Sequence, residues 1–276
     1  MDGTILNEWD FPVHEEIMQT KSGIEIPATM QKAIIRSDTN QPLATVGKKY
    51  TIVKHQDVVK SIRDAISKAN ISKDFTEKIE VFDGGKRIRG SILFNDMTIE
   101  PMVGDYIKYQ VLYYNSYDGT WSFSVAGMGF RLFCKNGCAD QHSIAKTVNK
   151  HTANINIQAS TKQIEKSADI FFNNIGWYKA MSLATITDLQ AEGFFKLHMC
   201  RAYTKTSEKK INKKRLEKLM GFWIDNKRQV GSNKWALYNA CTYWATHTND
   251  VKNPEIERNE REKLVAKAVK ETVWSI

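Results

Sequence analysis

Cysteine and histidine spacing is the first feature of the chain with chemical content. Three residues separate Cys134 from Cys138, His142 follows after three more, and His151 lies further on. Thiolate and imidazole are ligands for zinc, and a structural zinc site takes four of them. Against that reading, no second CxxC knuckle is present, and Cys200 and Cys241 stand alone. Free cysteine is among the most buried residue types. Cys134 is therefore expected to end a strand and Cys138 to pack a turn, with no metal and no cofactor bound.

Carboxylates offer a second chemistry. Asp83, Asp96, Glu100, Asp105 and Asp118 fall near predicted strand ends, and a nuclease would need such groups to converge on a metal. Asp83 and Asp118 each precede glycine and read as turn formers. The sequence lacks a G-x-x-x-x-G-K-[ST] loop, a G-x-G-x-x-G after a strand, an HExxH helix and a G-x-S-x-G elbow, so no known catalytic constellation is specified.

Basic and aromatic residues make the third set. Lys86, Arg87 and Arg89 follow a tight turn, and Lys108, Arg131 and Lys135 belong to the next predicted strands. Guanidinium and ammonium groups on one sheet face track a phosphate backbone without reading sequence. Tyr113, Tyr114, Tyr117 and Trp121 lie alongside, and aromatic rings stack bases of any identity. Half of an alternating aromatic set must face a core, so Trp121 and Phe123 are assigned there, while Tyr114 and Tyr117 stay open between core and stacking. A second basic run includes Lys209, Lys210, Lys213, Lys214, Arg215 and Lys218; from residue 201 to 218 eight basic residues face only Glu208 and Glu217. It is either a solvated helix face or a phosphate contact.

The elements that must position these groups are legible from periodicity. Two apolar runs around Asp38–Pro42 predict a hairpin. Val58, Val59, Ile62, Ala65, Ile66 and Ala69 recur at helical spacing and predict a helix over 56–69. Hairpins are predicted around Asp83-Gly84-Gly85 and Asp118-Gly119, and Gly127 and Gly129 suggest a bend in the strand that follows. In the second half Ser160 or Thr161, Thr187, Ser207, Ser232 and Asn253-Pro254 are predicted helix starts. The expected fold is α+β: an antiparallel β-meander with a packed helix in residues 1–150, and a helical region over 151–276 packed on it or continuous with it.

Composition narrows the class. Hydrophobic residues make up 42% and charged residues 26% of the 276, which suits a soluble globular chain. No apolar run approaches the roughly 18–20 residues of a membrane helix. The acidic N-terminal stretch does not resemble a secretory signal, so the expected location is the cytoplasm. The net charge of +9 is unevenly placed, with 19 Lys and Arg against 18 Asp and Glu up to residue 150 and 21 against 13 beyond it. That asymmetry points to a negatively charged partner, most commonly nucleic acid.

Asn115-Ser116-Tyr117-Asp118-Gly119-Thr120, followed by Arg131-Leu132-Phe133-Cys134-Lys135-Asn136, resembles the core of a phage- and plasmid-borne family catalogued as domain of unknown function 932. The stretch GKKYTIVKHQD, the run Gly84-Gly85-Lys86-Arg87, and Trp235, Tyr238, Asn239, Ala240, Thr242, Tyr243 and His247 in NKWALYNACTYWATH agree with it. Cys138 departs from the family, where leucine is expected, which argues further against a zinc ligand. The family name implies no activity. In layout, a helix, a basic meander and a further helix, the chain also resembles phage single-strand annealing proteins of the RecT, Redβ and Erf type. That resemblance implies single-stranded DNA as partner, a homo-oligomeric ring or filament, pairing of strands without ATP, and a bacterial host cytoplasm; it rests on layout alone. The alternatives are a protein-binding module acting on a host defence or replication protein, and a metal-dependent nuclease.

Overall fold

Asp83, Gly84 and Gly85 all take positive φ, at 50°, 64° and 97°, a conformation glycine adopts without a Cβ clash. This one-turn 3-10 segment folds β6 (Phe75–Phe82) back on β7 (Arg87–Met102) in an unbroken antiparallel register from Phe82–Arg87 to Phe75–Phe94. The computed structural model describes residues 8–27, 30–132, 136–138, 147–149, 151–152, 159–203, 209–248 and 254–271. Before β6 come β1 (Val13–Glu16), the short pair β2 (Met18–Gln19) and β3 (Glu25–Ile26), the hairpin β4 (Gln31–Arg36) and β5 (Gln41–Gly47), and helix α1 (His55–Ala69). After β7 come β8 (Asp105–Ser116), β9 (Phe123–Arg131), β10 (Asn136–Cys138) and β11 (Thr147–Asn149). β9 runs without interruption through Gly127 and Gly129. Strands β1, β4 and β5 form one sheet; β10, β9, β8, β7 and β6 follow one another in a second, with β11 on β9 beside β10.

The rest is mainly helical: α2 (Ala159–Asn173), α3 (Ile175–Leu183), α4 (Asp188–Phe194), the ribbon of β12 (Arg201–Tyr203) with β13 (Lys209–Ile211), α5 (Lys213–Val230), α6 (Lys234–His247) and α7 (Pro254–Glu271). The chain is thus α+β, with antiparallel sheets and α1 in its first half and helices in its second. Thr187 and Gln190 form the predicted capping box on α4. Three predicted starts move: α2 begins at Ala159, ahead of Ser160 and Thr161. Asn233, not Ser232, caps α6, its side chain accepting from the Ala236 amide. α5 begins at Lys213 under Asn212, which accepts from the Arg215 amide at 3.0 Å. Lys209 and Lys210 therefore lie on a β-ribbon and share no helix face with Lys213 and Lys214; Ser207 and Asn253 fall outside the described residues.

Two compact units are present, and neither ends at residue 150. The first takes Met1–Asp96, Gln110–Gly127 and Ala145–Ala168; the second takes Met97–Tyr109, Met128–Ile144 and Asp169–Ile276. Long strands cause the interleaving, because β7, β8 and β9 each contribute residues to both units. In the first unit Phe11, Val13, Ile34, Leu43, Val46 and Tyr117 form an apolar cluster, and α1 buries Val58, Val59, Ile62, Ala65 and Ile66. Tyr113 lies flat over Gly90, where an added Cβ would stand 1.8 Å from its ring. In the second unit α6 is buried almost all round, from Trp235 to Thr246, among α3, α5, α7 and β10.

Candidate functional site

The Asn115–Thr120 stretch is pinned residue by residue to other parts of the first unit. Asn115 Nδ2 donates to the Val53 carbonyl and to His55 Nδ1. His55 Nε2 in turn donates to the Gly85 carbonyl at 3.0 Å, so both ring nitrogens are engaged and the tautomer is fixed. Tyr117 Oη accepts the His55 amide at 2.9 Å. That bond stands in for the missing side-chain cap of α1, whose N-cap residue Lys54 offers none. Ser116 Oγ donates to the Trp121 carbonyl, and Tyr50 Oη donates to the Ser116 carbonyl at 2.6 Å. Asp118 accepts from Arg87 Nε at 2.9 Å and from the Thr120 amide and hydroxyl. Burial alone would raise the Asp118 pKa, but the bonds from Thr120 and Arg87 hold it below the usual carboxylate value. Burial pushes the His55 pKa down to about 3, against the opposing pull of the Gly85 carbonyl.

Beside this hairpin lies a cavity of about 330 Å3. Gly47, Lys49, Tyr50, Gly119, Trp121, Ser122, His151 and Thr152 line it. The Tyr50 and His151 rings stack at 4.9 Å and 4°. His151 and Trp121 are each only 6% exposed, yet neither ring nitrogen of His151 nor Trp121 Nε1 has a hydrogen-bond partner among the described residues. Burial lowers the His151 pKa; the nearby carbonyls of Thr51 and Trp121 act the other way without reaching bonding geometry. No acidic side chain is among the described lining residues.

The residues predicted to contact nucleic acid divide sharply. Arg87 is 7% exposed and paired with both Asp83 and Asp118. Arg131 is fully buried: its Nε donates to Asp105 at 2.6 Å and its Nη1 to Asn226 at 3.2 Å, while Trp235 Nε1 donates to the other Asp105 oxygen at 2.6 Å. Tyr117 is fully buried over His55, ring centroids 4.0 Å apart. These three are corrections, since each spends its polar or aromatic surface inside the protein. Asp105 and Asp118 are likewise committed to arginines rather than to a shared metal. Arg89 is half-buried near Glu80 and Tyr114, and Tyr114 meets Trp121 edge-on at 5.6 Å. Trp121 and Phe123 are buried, as predicted.

Lys86 and Lys108 are half-buried, and Lys213 and Lys214 are exposed. Arg215 donates to the Met199 carbonyl and sits 5.2 Å from the Trp244 ring centre, a packing role. Lys135, Cys134 and His142 lie outside the described residues, and Lys209, Lys210 and Cys138 are described in backbone only. Among the described residues no three His, Cys, Asp or Glu side chains gather as metal ligands. Sequence reasoning passed over Lys49, Tyr50 and His55 as site residues, although all three sit in the GKKYTIVKHQD stretch that carried the resemblance.

The resemblance residues are thus the ones that build two knots: Asn115–Thr120 with His55 in the first unit, and Arg131 with Trp235 in the second. An α+β chain organised around those knots is the class the fold defines. The chain belongs to the family described as Domain of unknown function (DUF932), which matches residues 42–268. No curated protein and no solved structure matches it. No helix among the described residues is long and apolar enough to cross a membrane.

Proposed function

We propose that the chain binds single-stranded DNA without ATP and serves strand annealing in a phage or mobile element, with the basic segment 201–218 as its main phosphate contact. Charge placement carries this reading. Lys213 and Lys214 are exposed in the first turn of α5, which holds no acidic residue. Cations there oppose the helix macrodipole by about 0.3–1 kcal/mol each, and a bound phosphate offsets that cost. Arg201, also exposed, begins the ribbon whose second strand carries Lys209 and Lys210 directly before that helix. Contacts of this kind hold the backbone and leave bases free to pair; self-association of protomers would align successive sites.

The test is a labelled single-stranded oligonucleotide titrated by anisotropy at two salt concentrations. Salt-dependent binding is expected, and Lys213→Ala with Lys214→Ala should lower the magnitude of the log–log salt slope by about 1.4, roughly 0.7 per phosphate contact. Absence of binding at low salt sinks the reading, and an unchanged slope removes α5 from it. A second reading, a protein-binding module, is favoured by Ile17, Ile24 and Met30, which are 57%, 66% and 66% exposed around the β2–β3 ribbon. Light scattering with and without oligonucleotide separates the two: a large DNA-bound assembly supports annealing, and a monomer indifferent to DNA supports the module.

A further inference from the structure

We propose that the chain pairs with a second copy of itself through the outer edge of β6, the two strands running antiparallel about a two-fold axis at Ile79. Such pairing gives the self-association invoked for annealing a surface, and it does not rest on DNA binding. β6 is the last strand of its sheet, and among the described residues no backbone group bonds to its outer side. An edge of this kind is a template for another strand. The other edges of the two larger sheets are short or interrupted: β1 has four residues, β10 and β11 have three each, and β5 contains Pro42. β6 has eight residues, neither Pro nor Gly, and a register on β7 without a bulge.

That register fixes which groups are open. One step before the Phe75–Phe94 pair, the Asn95 amide donates to the Asp74 carbonyl at 2.8 Å. The hydrogen-bonded pairs of this ladder therefore fall on the even-numbered residues of β6. The amides and carbonyls of Glu77, Ile79 and Val81 point to the open side. Side chains divide as well. Glu77 accepts from Arg63 of α1, which puts the odd residues on the α1 face and Lys78 and Glu80 on the opposite one. Lys78 and Glu80 pair at 2.9 Å, with side chains 71% and 37% exposed.

Charge then selects both register and occupant. A lysine on an edge strand ordinarily keeps further strands away, but here a carboxylate follows two residues later. With the axis at Ile79, that residue meets its own copy, Glu77 meets Val81, and Lys78 meets Glu80 on both sides of the axis. The open amides and carbonyls of all three odd residues find partners, about six bonds in total. An axis at Lys78 or at Glu80 sets like charges directly opposite, which is destabilising. An axis between two residues sets an open backbone group against one already turned to β7. The strand is complementary to its own sequence, which makes a second copy the occupant. An isologous contact closes after two copies, so it makes a dimer.

Light scattering on the full chain without DNA, over a range of concentrations, tests the contact. A concentration-dependent dimer is expected. Lys78→Glu and Glu80→Lys each oppose like charges on both sides of the axis, and each should weaken the dimer about tenfold or more at an unaltered melting temperature. Mixed in equal amounts, the two variants should associate again, because every glutamate of one then meets a lysine of the other. A folding defect cannot produce that recovery. Amide exchange on the wild type gives a second readout. Protection at Glu77, Ile79 and Val81 should rise with protein concentration, while Lys78 and Glu80, bonded to β7, stay protected throughout. A monomer at every concentration, a dimer that neither variant weakens, a mixture that stays monomeric, or exchange at Ile79 independent of concentration overturns the proposal. A monomer that binds oligonucleotide overturns this contact and leaves the DNA reading standing; a dimer that passes these tests and ignores oligonucleotide does the reverse.

Discussion

Asp105 is the residue on which the second unit's buried polar contacts converge. One oxygen takes the Arg131 guanidinium and the other the Trp235 indole. Asp105→Ala strands a fully buried arginine, so a loss of about 3–5 kcal/mol is expected in urea unfolding. Trp235→Phe keeps the ion pair and most of the ring, and should cost less than half as much. Equal losses would show that packing, not charge, dominates there. His55 contributes to the pH dependence of the first unit. Its folded pKa of about 3 lies below the unfolded value near 6.5, so the unfolded chain binds more protons between those limits. Stability is therefore full above about pH 6.5 and falls as the solution is acidified toward pH 3, with a slope of up to about 1.4 kcal/mol per pH unit from this residue. His151, also shifted down, adds to it with the same sign. His55→Gln should shallow the slope measured by chemical denaturation from pH 7 to 5, and a slope unchanged from wild type would remove His55 as its source.

At the scale of elements, α1 shows how the hairpin and the helix define each other. Its first amide is bonded to Tyr117 Oη, and Tyr117 itself is fixed because its amide donates to the Lys86 carbonyl at 2.7 Å. Tyr117→Phe should lower stability by about 1 kcal/mol and speed hydrogen exchange at the His55 amide. Protection unchanged at that amide would mean that another group caps the helix. The helix itself was plain in the sequence, because six apolar residues at 3.6-residue spacing leave little choice of register. So were the hairpins at Asp83-Gly84-Gly85 and Asp118-Gly119, where turn chemistry is local. The β12–β13 ribbon was not legible. Three-residue strands have too few positions to show a period, and the lysines that follow read as one helix with them. Arg87 was misplaced for a related reason: one of its two carboxylate partners, Asp118, is 31 residues away, and strand alternation says which face a side chain takes but not whether a distant carboxylate covers it. The cavity was hidden by the same distance, since Tyr50, Trp121 and His151 come together only through the fold.

At the scale of the whole molecule the net charge of +9 sets the ranking of functional readings, and burial redistributes it. Arg87 and Arg131 are neutralised internally, which leaves Lys213 and Lys214 among the solvent-facing positive charges. The nucleic-acid contact proposed above would rest on exposed ammonium groups, which hold phosphates as point charges, more than on bidentate guanidinium geometry. The expected division at residue 150 rests on composition, whereas the two compact units interleave along the chain. Composition changes there, but β7, β8 and β9 are long enough to supply both.

The bond from Trp235 to Asp105 spans 130 positions of the chain. On a ribosome adding about 5–20 residues per second, Asp105 and Arg131 leave the tunnel on the order of ten seconds before the indole and Asn226 that complete their surroundings. During that interval the far end of the β7–β8 hairpin has no α6 to cover it and stays wet, while the α1 knot, whose partners His55, Gly85 and Tyr117 all precede residue 120, can already close. Synthesis thus imposes an order in which the cavity-bearing unit is close to complete while the second is still waiting for its own C-terminal helices.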